Sequence, residues 1–280
     1  MPDVPLALLA VLPLASVELA KAGRWRVLFG HCRPSYIVAL RALMAGQATN
    51  ALSPIRAGEA VRLGVLTAQG GALVPGAGAL AGAKAIDTVC LAAIAFGVAG
   101  ASVFSRSTAG LAAGLAAGVG VMAAGLVLAL TGSGLRRRLD ANPVTRKLRL
   151  ASLVDVARAA REPRTLGVVA LATAVVWAAG LMSNALVLAA VGVPPTLDLA
   201  ARIIVAGYLL NLFPSPPAQI GTFEAAVTVA LTSAGVGIES ALAAGVTLHV
   251  CQMAKLGLFA AVLAVVSARR LPWTRWPAPT

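Results

Sequence analysis

NALSPIRAGEAVRLGVL, residues 50–66, puts Asn50, Pro54, Arg56, Gly58, Glu59 and Arg62 in the middle of apolar sequence. Proline has no amide hydrogen and disfavours helix in the residue before it, so one helix should end near Ser53 and another restart after Pro54. Glu59 and Arg62 then stand at i and i+3 on one face of the restarting helix and can pair. The segment thus predicts a helix broken at membrane depth. Irregular backbone is tolerated there only when it is buried in protein or lines a wet cavity.

The surrounding chain justifies the words membrane depth. Of its 280 residues, 59% are hydrophobic and 12% charged, against about 45–50% and 25% in soluble domains. Runs such as 109–130 and 166–191 exceed the roughly 20 apolar residues that span a bilayer core. Short alternating segments of a transmembrane barrel are absent from the sequence. The formal net charge of +13 does not point to nucleic acid, because the basic residues sit between apolar runs and aromatics make up only 4%. Cys32, Cys90 and Cys251 are far apart in sequence, which gives neither a disulfide framework nor a metal-ligand spacing; each is expected to be a small buried hydrophobe. No metal and no cofactor motif is expected, and no nucleotide-binding sequence is present.

The expected fold is therefore an all-α polytopic membrane protein, a single transmembrane domain over 1–280. Five full spans are read at about 4–20, 78–104, 108–131, 165–191 and 238–267. Two apolar segments are broken: 36–69 by SPIRAG, and 199–234 by PSPPAQIG. The first run, with Glu18 and Lys21 at its end, reads as a retained helix and not a cleaved signal. Nine Lys/Arg between Gly132 and Thr165 make that loop cytoplasmic by the positive-inside rule, and KAGRWRVLFGHCR (21–33) and the basic tail 268–280 should share its side. That parity is kept by re-entrant hairpins or by two full crossings in each broken segment. Arms near or under 17 residues favour hairpins.

Hairpins entering from opposite faces give an inverted-topology repeat, with repeat one over 4–104, a connector and loop over 108–164, and repeat two over 165–267. Such repeats are typical of secondary transporters. The sequence carries a trace of it. Adding 165 takes Glu59 to Glu224, Lys84 to His249 and Asp87 to Gln252, while Asn50 reaches Asn211 at an offset of 161. Charges at bilayer depth cost roughly 2.5–3.5 kcal/mol each on insertion scales. Arg56, Glu59, Arg62, Lys84 and Asp87 are therefore read as partly neutralised ions facing one buried cavity, with Asn211, Pro214, Ser215, Gln219, Gly221 and Glu224 in the second broken segment and His249 and Gln252 in the last span. The competing structural readings are helix capping for Glu59 and Glu224, an ion pair between Lys84 and Asp87, a helix-to-helix hydrogen bond for His249, and snorkelling to the interface for Arg62 and Arg41.

With AKAIDTVCLAA, FPSPPAQIGTFEAAV and LHVCQMAKL, the opening motif resembles the membrane domain of the lysylphosphatidylglycerol synthase, or flippase-like, family over roughly residues 24–265. The family pattern N-x-x-x-P-x-R-x-G-E-x-x-R is met at Asn50, Pro54, Arg56, Gly58, Glu59 and Arg62. Departures fall at Ala83 and Lys84, where the family carries an acid and Arg, and at Pro217 and Ala218, where it carries two glycines. The resemblance implies translocation of lipid across a bacterial cytoplasmic membrane. Because the chain ends at Thr280, soon after its last span, no soluble aminoacyl-transferase domain is expected and the protein is read as a non-enzyme. Its expected partner is a membrane lipid with an anionic head group; a homodimer and docked lipid-synthesis enzymes are further partners considered. The rival functions are an integral-membrane lipid-modifying enzyme with Glu59 and His249 as acid and base, and a non-transporting scaffold for lipid-synthesis enzymes.

Overall fold

The computed structural model describes residues 2–53, 57–100, 162–211 and 216–268, with Arg137, Ala141, Pro143 and Arg158 besides. Pro54, Arg56, Pro214, Ser215, the 108–131 span, most of the basic loop and the tail beyond residue 268 lie outside the described residues. Every regular element among those described is helical. In chain order they are α1 (Val4–Leu9), α2 (Val11–Leu28), α3 (Tyr36–Leu52), α4 (Gly58–Ala68), α5 (Leu73–Gly100), α6 (Pro163–Ala190), α7 (Leu197–Leu210), α8 (Thr222–Thr232) and α9 (Ile238–Ala268).

Local chemistry sets the boundaries. Asp3, Ser35 and Thr196 cap α1, α3 and α7, each side chain accepting a backbone N–H three residues on. Pro163 opens α6, where its missing N–H costs nothing. Gly192, at φ +77°, closes α6, and the Val193 N–H returns to the Leu188 carbonyl. Both broken segments are broken as expected: α3 ends at Leu52 and α4 begins at Gly58, while α7 ends at Leu210 and α8 begins at Thr222 after a 3₁₀ turn at Pro217–Gln219.

Four stretches are long and apolar enough to cross a membrane: Val4–Leu28, Leu73–Ala95, Pro163–Ala190 and Ile238–Val266. Within the 18-residue apolar window of each, only 17–22% of residues are buried against the rest of the chain, so most of that apolar surface must be covered by lipid. The protein is thus a multi-pass helical membrane protein. The arms α3, α4, α7 and α8, of 17, 11, 14 and 11 residues, reach at most about 26 Å at 1.5 Å per residue, short of a ~30 Å hydrocarbon core.

α2 lies along α6 at the centre. α3 pairs with α4 and α7 with α8; α4 leads onto α5 and α8 onto α9. α3 also packs against the Pro217–Gln219 turn, and α9 touches both α2 and α3. The larger apolar cluster joins Leu188, Ile203, Phe223, Val227, Leu231 and Leu248; a second joins Trp25, Phe29, Val38, Leu66 and Leu80.

Three expectations need correcting. The first span does not stop near residue 20: its helix runs on to Leu28, so the stretch 21–33 is largely helical and not a loop. Arg24 and Trp25, 1% and 0% exposed, are in the core because both find polar partners there. The span expected from 78 starts at Leu73. Cys32 is exposed, whereas Cys90 is half-buried and Cys251 buried.

Candidate functional site

The first group forms where α4 starts. The Asn50 side-chain oxygen accepts the Gly58 N–H at 2.8 Å, so an α3 residue satisfies an amide that α4 cannot. Gly58 is required by contact: a Cβ there would run into the Gly46 carbonyl and the Asn50 side chain. This close crossing of α3 and α4 aims the next residue, Glu59, toward α5. Its carboxylate meets the Lys84 ammonium at 2.5 Å and the Arg62 guanidinium at 3.9 Å.

Arg62 does not snorkel. It is 8% exposed, and its guanidinium lies over the Trp25 ring at 3.8 Å. The Arg62 Nε has no hydrogen-bond partner, and the indole face offers the cation its compensation. The Trp25 N–H is aimed at the Gly76 carbonyl at 3.4 Å, which ties α2 to α5. A cavity of about 30 Å³ is lined by Gly46, Gln47, Asn50, Gly58, Glu59 and Arg62, enough for about one water.

Asp87 is not paired with Lys84. It accepts from Arg24 at 2.7 Å, and Arg24 also donates to the Thr173 hydroxyl at 3.1 Å, joining α5, α2 and α6. Lys84 and Asp87, three residues apart, therefore serve different partners, since the α5 face near Asp87 meets α2 and Lys84 faces the half-buried Glu59.

The second group forms where α8 starts. Glu224 accepts the Gly221 N–H at 2.8 Å through one carboxylate oxygen, and its other oxygen meets His249 Nδ1 on α9 at 2.7 Å. The His249 ring stands edge-on to Phe223 at 5.4 Å. The capping reading and the hydrogen-bonding reading both apply to Glu224, which uses one oxygen for each. Gly245 packs on the Glu224 backbone, its Cβ position only 3.1 Å from Cα. Gln219 donates to the Asn211 side-chain oxygen at 3.2 Å across the turn. Gln252 is half-buried one turn beyond His249 on α9.

The two groups share a plan. Glu59–Lys84 and Glu224–His249 each join the start of a returning arm to the following span, and both pairs are 25 residues apart. The small cavity is walled by α3 and α4, and neither Glu224 nor His249 lines it. A separate open groove of about 480 Å³ lies between the α6–α7 and α8–α9 connections, lined by Pro194, Asp198, Gly235 and Ser240 among others, with none of the sequence-selected residues.

Sequence reasoning missed a third group. Glu18 on α2, Lys255 on α9 and Gln47 on α3 contact one another, with Glu18 and Lys255 only 2% and 8% exposed. The available signal was spacing: Glu18, Lys21, Arg24 and Trp25 fall at i, i+3, i+6 and i+7, one face of a helix. Among the described residues no three His, Cys, Asp or Glu side chains are grouped as a metal site would need.

No curated protein and no solved structure matches the chain. The family model described as "Lysylphosphatidylglycerol synthase TM region" matches residues 2–266, nearly the whole sequence, and the protein belongs to that family.

Proposed function

We propose that the protein is a lipid flippase that moves an anionic lipid, or a lipid-linked anionic head group, across the bacterial cytoplasmic membrane. In this reading it is a transporter and not an enzyme. Span, broken pair, span occurs twice, as α2, α3–α4, α5 and again as α6, α7–α8, α9. With the 108–131 segment crossing once between them, the two halves are inverted and each broken pair is a re-entrant hairpin. Half-length arms suit that arrangement. The basic loop and tail then face the cytoplasm.

One observation carries the reading: the matched pairs Glu59–Lys84 and Glu224–His249, each at the tip of a broken pair. A lone ion at bilayer depth is costly, and intramembrane ionisable groups generally mark a path for substrate or ions. Glu59 and Lys84 are 39% and 60% exposed, so an anionic head group has access to the ammonium. It would displace the Glu59 carboxylate from Lys84, with Arg62 adding a second positive charge behind it. Acyl chains stay in the bilayer throughout.

Proteoliposomes with a fluorescent phosphatidylglycerol analogue in both leaflets test this. The protein should speed transbilayer movement above protein-free vesicles, and Lys84→Gln should cut that gain at least about tenfold, the factor for 1.4 kcal/mol of lost interaction. No acceleration, or a Lys84→Gln rate equal to wild type, removes the proposal.

A further inference from the structure

We propose that Glu18, Gln47 and Lys255 form a lock between the two halves of the protein, closed in the conformation described here and opened when the halves rock. The inference rests on the transport reading and adds the element that would regulate it.

The three side chains make a closed ring. The Lys255 ammonium donates to Glu18 Oε1 at 2.7 Å and to Gln47 Oε1 at 3.3 Å, and the Gln47 amide donates to Glu18 Oε2. Glu18 on α2 and Gln47 on α3 belong to the first half; Lys255 on α9 belongs to the second. The other ion pairs among the described residues each stay inside one half: Arg24 with Asp87, Glu59 with Arg62 and Lys84, Asp198 with Arg202, and Glu224 with His249. Among the described residues Lys255–Glu18 is therefore the ion pair that spans the divide, and motion of one half against the other acts on it directly.

Its chemistry suits a contact that opens. A buried ion pair adds little stability compared with apolar packing, because desolvation offsets most of the attraction. The ring leaves Glu18 a partner in either state: when α9 withdraws with Lys255, the Gln47 amide N–H still faces the carboxylate from the same half. Lys255, freed, has a long apolar stem that lets its ammonium reach a polar boundary. Gln47 also lines the small cavity beside Asn50, Glu59 and Arg62, so opening the ring alters a wall of the candidate head-group site.

The test uses the full chain in liposomes, with Cys32, Cys90 and Cys251 replaced by Ala and spin labels at Leu19→Cys on α2 and Val262→Cys on α9, both exposed. Electron-spin distance measurements should give one main separation. In Glu18→Gln/Lys255→Gln, which removes both charges of the pair, a second separation should exceed about 10% of molecules, the upper end for an ordinary minor state. The exchange Glu18→Lys/Lys255→Glu, made together with Lys21→Gln so that no second ammonium stands one turn along α2, should return the single separation, since Gln47 can donate or accept. An unchanged distribution in the neutral variant, a second separation that persists in the exchanged variant, or failure of both variants to fold each overturns the lock. If the distribution shifts as expected but the parent protein moves no lipid, the lock stands and the transport function falls.

Discussion

Ala218 and Gln219 take φ +55° and +58° in the turn between α7 and α8. A side chain in that left-handed region brings Cβ against the following carbonyl, at about 1–2 kcal/mol per residue. Pro217 ahead of them fixes its own φ, and the Gln219 amide spans the turn to Asn211, so the turn keeps its path without glycine. Ala218→Gly should relieve about 1 kcal/mol and raise the Tm of the detergent-solubilised protein by about 2 °C. An unchanged or lower Tm would mean that the local strain is already absorbed elsewhere. Gly58 is the opposite case. It has ordinary helical backbone, but a Cβ would strike the Gly46 carbonyl of the neighbouring helix. Gly58→Ala should cost about 1–3 kcal/mol by overpacking. Gly64→Ala, one helix turn and a half away with nothing near its Cβ position, should be neutral or slightly stabilising. Equal melting of the two variants would show that the α3–α4 crossing is looser than described.

Among elements, α2 carries more of the molecule than its place at the amino terminus suggests. One face of it holds Glu18 against α9 and α3, Arg24 against α5 and α6, and Trp25 beneath Arg62 of α4. Asp87→Asn would leave the Arg24 guanidinium, 2% exposed, without its counter-charge. Removing one partner of a buried pair costs about 3–5 kcal/mol, whereas replacing both by apolar groups is far milder. Asp87→Asn should therefore destabilise strongly in a thermal unfolding assay, and Arg24→Met/Asp87→Leu should recover most of the loss; a double variant as unstable as the single one would contradict this account. The same helix marks the limit of what the sequence reveals. Pro54 and the Pro214–Pro217 run announce both breaks, because proline acts on its own neighbours, and the boundaries of α3, α4, α7 and α8 follow. Which helix faces Arg24 is a tertiary fact. A basic residue after an apolar run is ordinarily juxtamembrane, and nothing local distinguishes one that folds back onto an aspartate 63 residues later. Lys84 and Asp87 fail for a related reason, since i, i+3 spacing permits a pair but does not rank it against partners on other helices.

At the scale of the whole molecule, the offset of 165 was legible because polar residues are so sparse that coincidences stand out. The structure gives the offset a physical content that spacing alone lacked: equivalent residues make equivalent bonds. Glu59 and Glu224 each stand in the first turn of a returning arm, where a carboxylate favours the helix dipole, and each reaches a basic group on the next span. The halves are not copies in detail, however. Gly58 is held by Asn50 across one break, while Asn211 holds Gln219 across the longer one. Under the proposed transport by two inverted halves, both halves must move, so losing either carboxylate should be felt alike. Glu59→Gln and Glu224→Gln, which keep the shape and remove the charge, should each slow anionic lipid movement at least about tenfold, with rates within about threefold of one another. Their melting temperatures should stay within a few degrees of wild type: Lys84 is 60% exposed, Arg62 keeps the face of the Trp25 ring, and His249 keeps a hydrogen-bond partner in the Gln amide. A large effect at Glu59 with none at Glu224 would confine the substrate path to the first half and leave the second as scaffold.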